Sequence, residues 1–284
     1  MDSALRLKIL TIVESLHGEE FQEFGELLLT KRYGLSFQVV RSHRDQGCDG
    51  ILNDSTVIAM YGPENNRLSI DTFRRKVGSD HAKYLLNWAA MYSDFMFFYN
   101  SEFTAQMIQI MDSISPRIHK IDINKIIELI DELSYPEMFE IVTYLRIPED
   151  FFSFDIFSTV VSDLSSASRD RIRIERARPT YIIEKIKLNY DDEDIQSAKE
   201  EYEFNLSNIG MLEQVLKTYD SDVISALKSK IIRSYGELTG TFKERLSSLT
   251  ERLCERRPLD DMYKFYTRVV LLYMFEICLI GRRN

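Results

Sequence analysis

Residues 44–64, RDQGCDGILNDSTVIAMYGPE, place one carboxylate in the frame of a metal-dependent hydrolytic site. Asp49 follows a Gln-Gly-Cys turn, and Ala59 and Tyr61 lie two residues apart in the strand-like stretch that comes next. Because side chains alternate along a strand, positions 59 and 61 share one face beside Asp49. A Mg²⁺ ion held there would take oxygen ligands, activate a bound water and neutralise a scissile phosphate. Asp49 suits this chemistry, whereas Ala59 offers no ligand and Tyr61, with an ordinary pKa of about 10, is a poor base.

The flanking sequence predicts the elements of an α/β domain. Apolar residues at helical spacing over residues 4–32 predict two helical segments around Gly18. The stretches LSFQVVRSH and STVIAMYG predict two strands, with DQGCDGILND as a tight polar turn between them. Residues 67–92 return to helical spacing, DFMFFYNSE predicts a buried strand, and TAQMIQIMDSI predicts a closing helix. The order of these elements favours a small mixed sheet flanked by helices.

From residue 121 onward the sequence predicts a mostly helical second domain. Apolar residues recur at helical spacing in DINKIIELIDEL, in PEMFEIVTYL and through most of the remaining chain. The stretch ISPRIHK supplies a proline and basic residues at the transition. We therefore expect an α/β domain over residues 1–118 and an all-α domain over residues 119–284. The stretch SRDRIRIERARPTYIIEK fits either a strand pair or an irregular linker.

Composition limits the class of protein. The formal charge of −9 excludes a chain that coats nucleic acid through its overall charge, so any DNA contact must be local. Three scattered cysteines without CxxC spacing argue against a disulfide framework and a structural zinc, and they favour a reducing cytoplasm. No uninterrupted run of about 18 apolar residues is present, so we expect a soluble protein without a membrane span.

Two blocks of sequence resemble a known family. Residues 18–64, read as GxxFQxF, LSFxVV, QGCDG and VIAMYGPE, look like the N-terminal nuclease-like domain of effector subunits in anti-phage ABC-three-component systems, of which Lamassu is a close relative. The strand FMFFYN and the C-terminal residues 262–281, MYKFYTRVVLLYMFEICLIG, resemble the same group. Together the blocks cover roughly a third of the chain.

The resemblance implies a PD-(D/E)XK, or restriction endonuclease-like, domain and the positions of its site. In that fold a helix contributes an acidic residue, a hairpin strand an Asp, and the next strand a Glu, Asp or Gln followed two residues later by Lys. By the resemblance Asp49 would bind Mg²⁺, Gln22 would hold the helix position, and Ala59 and Tyr61 would hold the strand positions. Asp49, Tyr61 and Gln22 are thus the candidate catalytic residues. The family often carries Gln-x-Tyr at the strand positions, so Ala59 is the real departure.

The same resemblance implies partners. These are an SMC-like ABC ATPase, a third small subunit and double-stranded DNA, with self-association as a further expectation. Two basic clusters near the candidate site, RSHR and RRK, could contact phosphates. The candidate DNA-binding residues are Arg41, His43, Arg44, Arg74, Arg75 and Lys76.

Three interpretations follow. The first is a Mg²⁺-dependent DNA endonuclease, active only on assembly of an SMC-like ATPase defence complex. The second is a degenerate nuclease-like subunit that binds DNA or scaffolds the same complex without cutting, which Ala59 favours. The third is a standalone interaction protein whose Asp49-Gly50 hairpin is an ordinary solvated turn.

Overall fold

The computed structural model describes residues 1, 3–40, 47–64, 68–166, 181–257 and 260–282. The chain divides into two compact units, one spanning Ser3–Pro148 and one that holds Glu149–Asn284. Residue 118, where the sequence predicts the domain boundary, is the first residue of a strand inside the first unit.

The first unit combines helices with one sheet. Its helices are α1 (Ser3–Ser15), α2 (Gly18–Tyr33), α3 (Ile70–Asn87), α4 (Ala105–Ile114), α5 (Ile123–Asp131) and α6 (Tyr135–Tyr144). Its strands are β1 (Phe37–Val39), β2 (Gly50–Leu52), β3 (Thr56–Tyr61), β4 (Asp94–Tyr99) and β5 (Ile118–Ile121). A short 3₁₀ turn at Gly34–Ser36 connects α2 to β1.

The five strands form one mixed sheet in the order β1-β2-β3-β4-β5. β2 is antiparallel to β1 and β3, whereas β3, β4 and β5 run parallel. The β2–β3 turn is tight, and Asn53 and Asp54 both adopt a φ of 52° there. Asn and Asp tolerate this left-handed conformation better than most residues. The turn therefore sets the register in which Gly50 pairs with Ile58.

Helices cover both faces of the sheet. On one face, Val57 and Ala59 of β3 belong to a buried cluster with Phe73 of α3 and Phe97 of β4. On the other face, the ring of Phe21 from α2 lies 5.7 Å from that of Phe98 on β4. Side chains of β3 and β4 therefore alternate between two cores, one on each face of the sheet. This explains why both strands are continuous apolar runs in the sequence. The α/β expectation for this part of the chain is confirmed.

Two strands depart from the expected elements. The predicted polar turn DQGCDGILND contains β2, whose three residues Gly50–Leu52 are buried between β1 and β3. The proline-containing stretch ISPRIHK leads into β5, which pairs with β4. Both strands have three or four residues, so each is too short to show a period in the sequence. The sheet partners, rather than local propensity, make them strands.

In the described residues of the second unit, every regular element is a helix. Its helices are α7 (Glu149–Ser166), α8 (Ile182–Asn189), α9 (Ile195–Phe204), α10 (Leu206–Lys217), α11 (Ser221–Gly236), α12 (Phe242–Leu253) and α13 (Asp261–Glu276). This confirms the helical expectation, while the stretch SRDRIRIERAR lies outside the described residues. α13 is largely buried, and its Tyr266 ring packs edge-on against Phe157 of α7 at 4.7 Å. α13 is therefore part of the core of this unit.

The three cysteines are buried, and none of them forms a disulfide in the part of the chain that the structure describes. Cys48 lies in the first unit, 6% exposed, and Cys254 and Cys278 lie in the second, 0% and 1% exposed. None of the described helices is long and apolar enough to span a bilayer.

Candidate functional site

A cavity of about 590 Å³ opens at the end of β3. It is formed by the start of α2, the residues that follow β3 and the first two turns of α3. Its polar lining comprises Gln22, Tyr61, Glu64, Ser69, Thr72 and Lys76. The structure thus brings together Gln22 and Tyr61, which the sequence predicts as site residues, with Lys76, which it predicts as a DNA contact.

Two tight contacts hold the start of α2 against the end of β3. The Gly18 amide donates to the Gly62 carbonyl at 2.9 Å. Gly62 must be glycine, since a Cβ at this position would lie 2.7 Å from the Cβ of Phe21 and 2.9 Å from the Leu16 carbonyl. This close approach places the first turn of α2, and with it Gln22, beside Tyr61.

The buried amide of Asn100 fixes the same junction from β4. Asn100 follows the last residue of β4 and is 1% exposed. Its Nδ2 donates to the carbonyls of Leu16 at 2.8 Å and Glu14 at 3.2 Å, both just past or at the end of α1. These bonds satisfy carbonyls that have no partner within the helix. The residue that ends the FMFFYN strand therefore positions the α1–α2 junction.

Lys76 reaches the cavity from α3. Its Nζ lies 5.4 Å from the centroid of the Tyr61 ring and 2.9 Å from the Oδ2 of Asp80. Asp80 is 1% exposed, so this ion pair is partly withdrawn from solvent. Burial, reinforced by Tyr99, Asp80 and Glu64, raises the pKa of Tyr61 above its ordinary value. The phenol therefore keeps its proton at neutral pH and can act as a hydrogen-bond donor.

Asp49 lies beside this cavity but does not line it. Its Oδ2 accepts a hydrogen bond of 2.6 Å from the amide of Met60, and its own amide donates to the Ile58 carbonyl at 2.8 Å. Met60 does line the cavity, so Asp49 contacts a residue of the cavity wall without lining the cavity itself. The carboxylate thus extends the β2–β3 pairing beyond the last residue of β2.

The residues present do not fit the Mg²⁺ site that the resemblance implies. Ala59, at the position of the second carboxylate, is 2% exposed in the core and pairs with Phe97. One carboxylate oxygen of Asp49 is bound to a backbone amide. Across the part of the chain that the structure describes, no group of three or more His, Cys, Asp or Glu side chains could hold a metal ion. Of the two acidic strand positions of the motif, only Asp49 carries a carboxylate.

Of the six candidate DNA-binding residues, the three that the structure describes lie on α3. Arg74 and Arg75 are exposed, with Arg74 3.5 Å from Asp71 and the Nη2 of Arg75 3.3 Å from the Oγ1 of Thr72. Arg41, His43 and Arg44 lie outside the described residues. Arg74 and Arg75 therefore present two cations on the helix whose Thr72 and Lys76 line the cavity.

Sequence reasoning overlooked the buried partner of Lys76. Asp80 stands four residues after Lys76, a spacing that places both side chains on one helical face. That spacing could have indicated the ion pair, but only the fold directs it towards Tyr61.

Compared with protein-family models, with curated proteins and with solved structures, the chain matches none.

Proposed function

We propose that this chain is a nuclease-like subunit of an SMC-like ABC ATPase anti-phage complex, and that it engages DNA without cutting it. The observation that carries the second part is the state of the two acidic positions. Asp49 is bound to the Met60 amide, and Ala59 is buried where the second carboxylate would stand. A site of this kind offers Mg²⁺ one strand carboxylate instead of two, which weakens its hold on the metal.

The nuclease-like part of the proposal rests on the resemblance and on the order of the elements. A helix that carries Gln22, a strand that begins next to Asp49 and a following strand with Ala59 and Tyr61 occur in the order that a PD-(D/E)XK domain uses. The mixed five-stranded sheet agrees with this assignment. The frame of the domain is thus retained while its metal ligands are not.

DNA would be held by the exposed cations of α3. Arg74 and Arg75 can contact phosphates, which supply most of the affinity of sequence-independent binding. Gln22, Ser69, Thr72 and the protonated Tyr61 line the cavity beneath them with groups that can donate hydrogen bonds. With a net charge of −9, the chain would bind through this local surface only.

A metal-dependent endonuclease is the second candidate, and Lys76 favours it. Its ammonium lies 5.4 Å from the ring of Tyr61, the residue that occupies the Lys position of the nuclease motif. A cation is therefore present close to that position, although it comes from a helix.

Incubation with plasmid distinguishes the two candidates. Purified full-length chain, alone and co-expressed with an SMC-like ABC ATPase, is incubated with supercoiled plasmid and Mg²⁺ or Mn²⁺. We expect retention of the plasmid in a shift assay and no nicking. Nicking that disappears in an Asp49→Ala variant would overturn the non-cleaving proposal in favour of the endonuclease.

The binding surface has its own test. The double variant Arg74→Gln, Arg75→Gln is compared with Lys8→Gln, which removes one exposed cation from α1. We expect the double variant to lose at least about tenfold in affinity for duplex DNA at low salt, because each phosphate contact adds to the counterion-release term. Equal affinity of the double variant and the wild type would exclude α3 as the DNA-contacting surface.

The helical unit is proposed to bind the ATPase partner. Co-purification of the tagged chain with a co-expressed SMC-like ABC ATPase tests this. Absence of a complex at micromolar concentrations of both proteins, with and without ATP, would argue against the assignment to a defence complex.

A further inference from the structure

A second cavity, of about 510 Å³, lies in the helical unit. It is formed by the end of α8, the end of α11, the start of α12 and the residues after α13. Its charged lining comprises Arg245, Arg282 and Asp191. Neither the proposed function nor the sequence motifs give this cavity a role.

Arg245 is held in one orientation at the cavity wall. Its Cζ lies 3.7 Å from the centroid of the Tyr235 ring, and its Nη2 donates to the Tyr235 carbonyl at 2.9 Å. Its Nε is buried and has no hydrogen-bond partner among the described residues. A guanidinium has five N–H donors, so most of the hydrogen-bonding capacity of Arg245 is unused within the described chain.

The backbone of Arg282 is fixed at the same cavity. The Arg282 amide donates to the Oδ1 of Asn189, and the Nδ2 of Asn189 donates to the Arg282 carbonyl at 3.3 Å. Gly281 has a φ of +81°, and a Cβ there would lie 2.8 Å from the Oδ1 of Asn189. Only glycine allows this turn, which carries the exposed Arg282 side chain to the cavity rim.

The lining has a net positive charge. Two guanidinium groups face one carboxylate, and the described residues contain no ion pair for either arginine. Burial raises the pKa of Tyr190 to about 12, and burial also raises the pKa of Tyr235. Both phenols therefore stay neutral and add no negative charge. Positive charge with unused planar donors suits a carboxylate or phosphate ligand.

We propose that the cavity between α8, α11 and α12 binds a small oxyanion, a phosphate or carboxylate group, through Arg245 and Arg282. Arg245 provides donors already oriented by Tyr235, and Arg282 provides a second cation at the rim. This site is independent of the α3 surface proposed to bind DNA.

Titration of the full-length chain with inorganic phosphate tests the proposal. The ionic strength is kept constant with sodium chloride, and binding is followed by ³¹P line broadening and by the rise in Tm. A parallel titration with acetate separates a phosphate ligand from a carboxylate ligand. We expect saturable binding of at least one of the two anions.

Matched variants locate the binding site. Arg245→Gln and Arg282→Gln are each expected to weaken binding about tenfold, because each removes charge-assisted hydrogen bonds. Arg252→Gln is the control, since Arg252 lies on the same helix and pairs with Glu237 at the surface. If Arg245→Gln lowers Tm by itself, Arg282→Gln decides, because that side chain is exposed.

No saturable binding by the wild type would overturn the proposal. Binding that is equal in Arg252→Gln and Arg282→Gln would overturn it as well. DNA retention by the Arg282→Gln variant is expected to equal that of the wild type, so failure of this site and failure of the α3 surface are distinguishable.

Discussion

A single hydrogen bond gives Asp49 a role that needs no metal. Its carboxylate accepts from the Met60 amide at 2.6 Å and so extends the pairing of β2 with β3 past Gly50. Hydrogen bonds to charged groups contribute more to stability than neutral ones. At the scale of the residue, the Asp49 carboxylate supplies an acceptor to the backbone of β3.

Asp49→Ala is therefore expected to destabilise the chain. We expect a loss of about 1.5–3 kcal/mol in the free energy of unfolding, measured by urea titration in EDTA, since the Met60 amide loses its acceptor. Asp54→Asn is the control, because Asp54 is an exposed turn residue and Asn also tolerates its φ of 52°. A loss of less than about 0.5 kcal/mol for Asp49→Ala would show that the bond contributes little, leaving a ligand role as the explanation.

Ala59→Glu tests whether the missing ligand can be restored. Because position 59 is 2% exposed, we expect a loss of more than about 3 kcal/mol and no gain of plasmid cleavage. Ala59→Gln, which has a similar shape without the charge, should lose less at pH 7.5.

The pH dependence of the free energy of unfolding, compared between Ala59→Glu and Ala59→Gln, tests whether the loss comes from burying the charge. A buried Glu has a raised pKa in the folded state, so its extra penalty over Gln grows as pH rises and shrinks by up to about 1.4 kcal/mol per unit as pH falls towards the unfolded pKa of about 4.3. Urea unfolding at pH 5.5 and 7.5 measures the difference. A gap that does not change with pH would mean that the Glu side chain reaches solvent.

At the scale of the element, the side-chain amide of Asn100, which follows β4, holds the junction between α1 and α2. Asn100 donates to the Leu16 and Glu14 carbonyls from a buried position, and the α1–α2 junction carries Gly18 and Gln22 at the cavity. Local sequence does not encode this arrangement, because the partners are more than 80 residues apart.

Asn100→Asp should weaken that junction. The substitution keeps the shape but points a carboxylate oxygen at two carbonyls, so we expect a loss of about 3 kcal/mol or more in the free energy of unfolding. Asn53→Asp, in the exposed β2–β3 turn, should change stability by less than about 0.5 kcal/mol. Similar losses in the two variants would contradict the role of Asn100.

Tyr190, a half-buried tyrosine of the helical unit, predicts a loss of stability at alkaline pH. Burial raises the pKa of Tyr190 to about 12, so above pH 10 the unfolded chain releases a proton that the folded chain keeps. Stability therefore falls as pH rises from about 10 to about 12. Tyr190→Phe keeps the ring against Phe242 and Phe275 but removes this proton.

Unfolding at pH 9 and pH 11 measures the effect. We expect the wild type to lose up to about 1 kcal/mol more than Tyr190→Phe between these values. Tyr181→Phe is the control, because Tyr181 is 83% exposed. Equal alkaline losses in the wild type and Tyr190→Phe would contradict this assignment.

The elements that the sequence predicts well are the long ones. Helical spacing identifies α3 and α13, and the apolar runs identify β3 and β4, because each is long enough to carry a period. β2 and β5 escape such reasoning because their strand state comes from neighbours in the sheet. The site divides in the same way. Gln22 and Tyr61, the candidate residues that the resemblance implies, line one cavity, whereas the position of Lys76 beside Tyr61 depends on how α3 packs.

At the scale of the whole molecule, charge decides how DNA can be held. A chain with a net charge of −9 repels DNA everywhere except at local cationic surfaces. Arg74 and Arg75 form such a surface on α3, and they are adjacent to a cavity that can accept hydrogen-bonding groups.

The salt dependence of DNA retention should therefore be shallow. We expect the slope of log K against log salt to fall in magnitude by about 2 in the Arg74→Gln, Arg75→Gln variant, since each phosphate contact contributes about 0.9. Lys8→Gln should leave the slope unchanged. Fluorescence anisotropy with a labelled duplex between about 50 and 200 mM salt measures it, and identical slopes in all three proteins would exclude Arg74 and Arg75 as phosphate contacts.

The rate at which the three buried thiols are alkylated should report how often the structure around each of them opens. Cys48 is 6% exposed and burial raises its pKa to about 12, while Cys254 and Cys278 are 0% and 1% exposed. Because thiolates are the species that alkylating reagents attack, each cysteine should be modified only when the structure around it opens. Peptide mapping after timed alkylation would then give separate opening rates for the sheet-containing unit and the helical unit. A cysteine introduced at the surface could be labelled selectively without removing any native one.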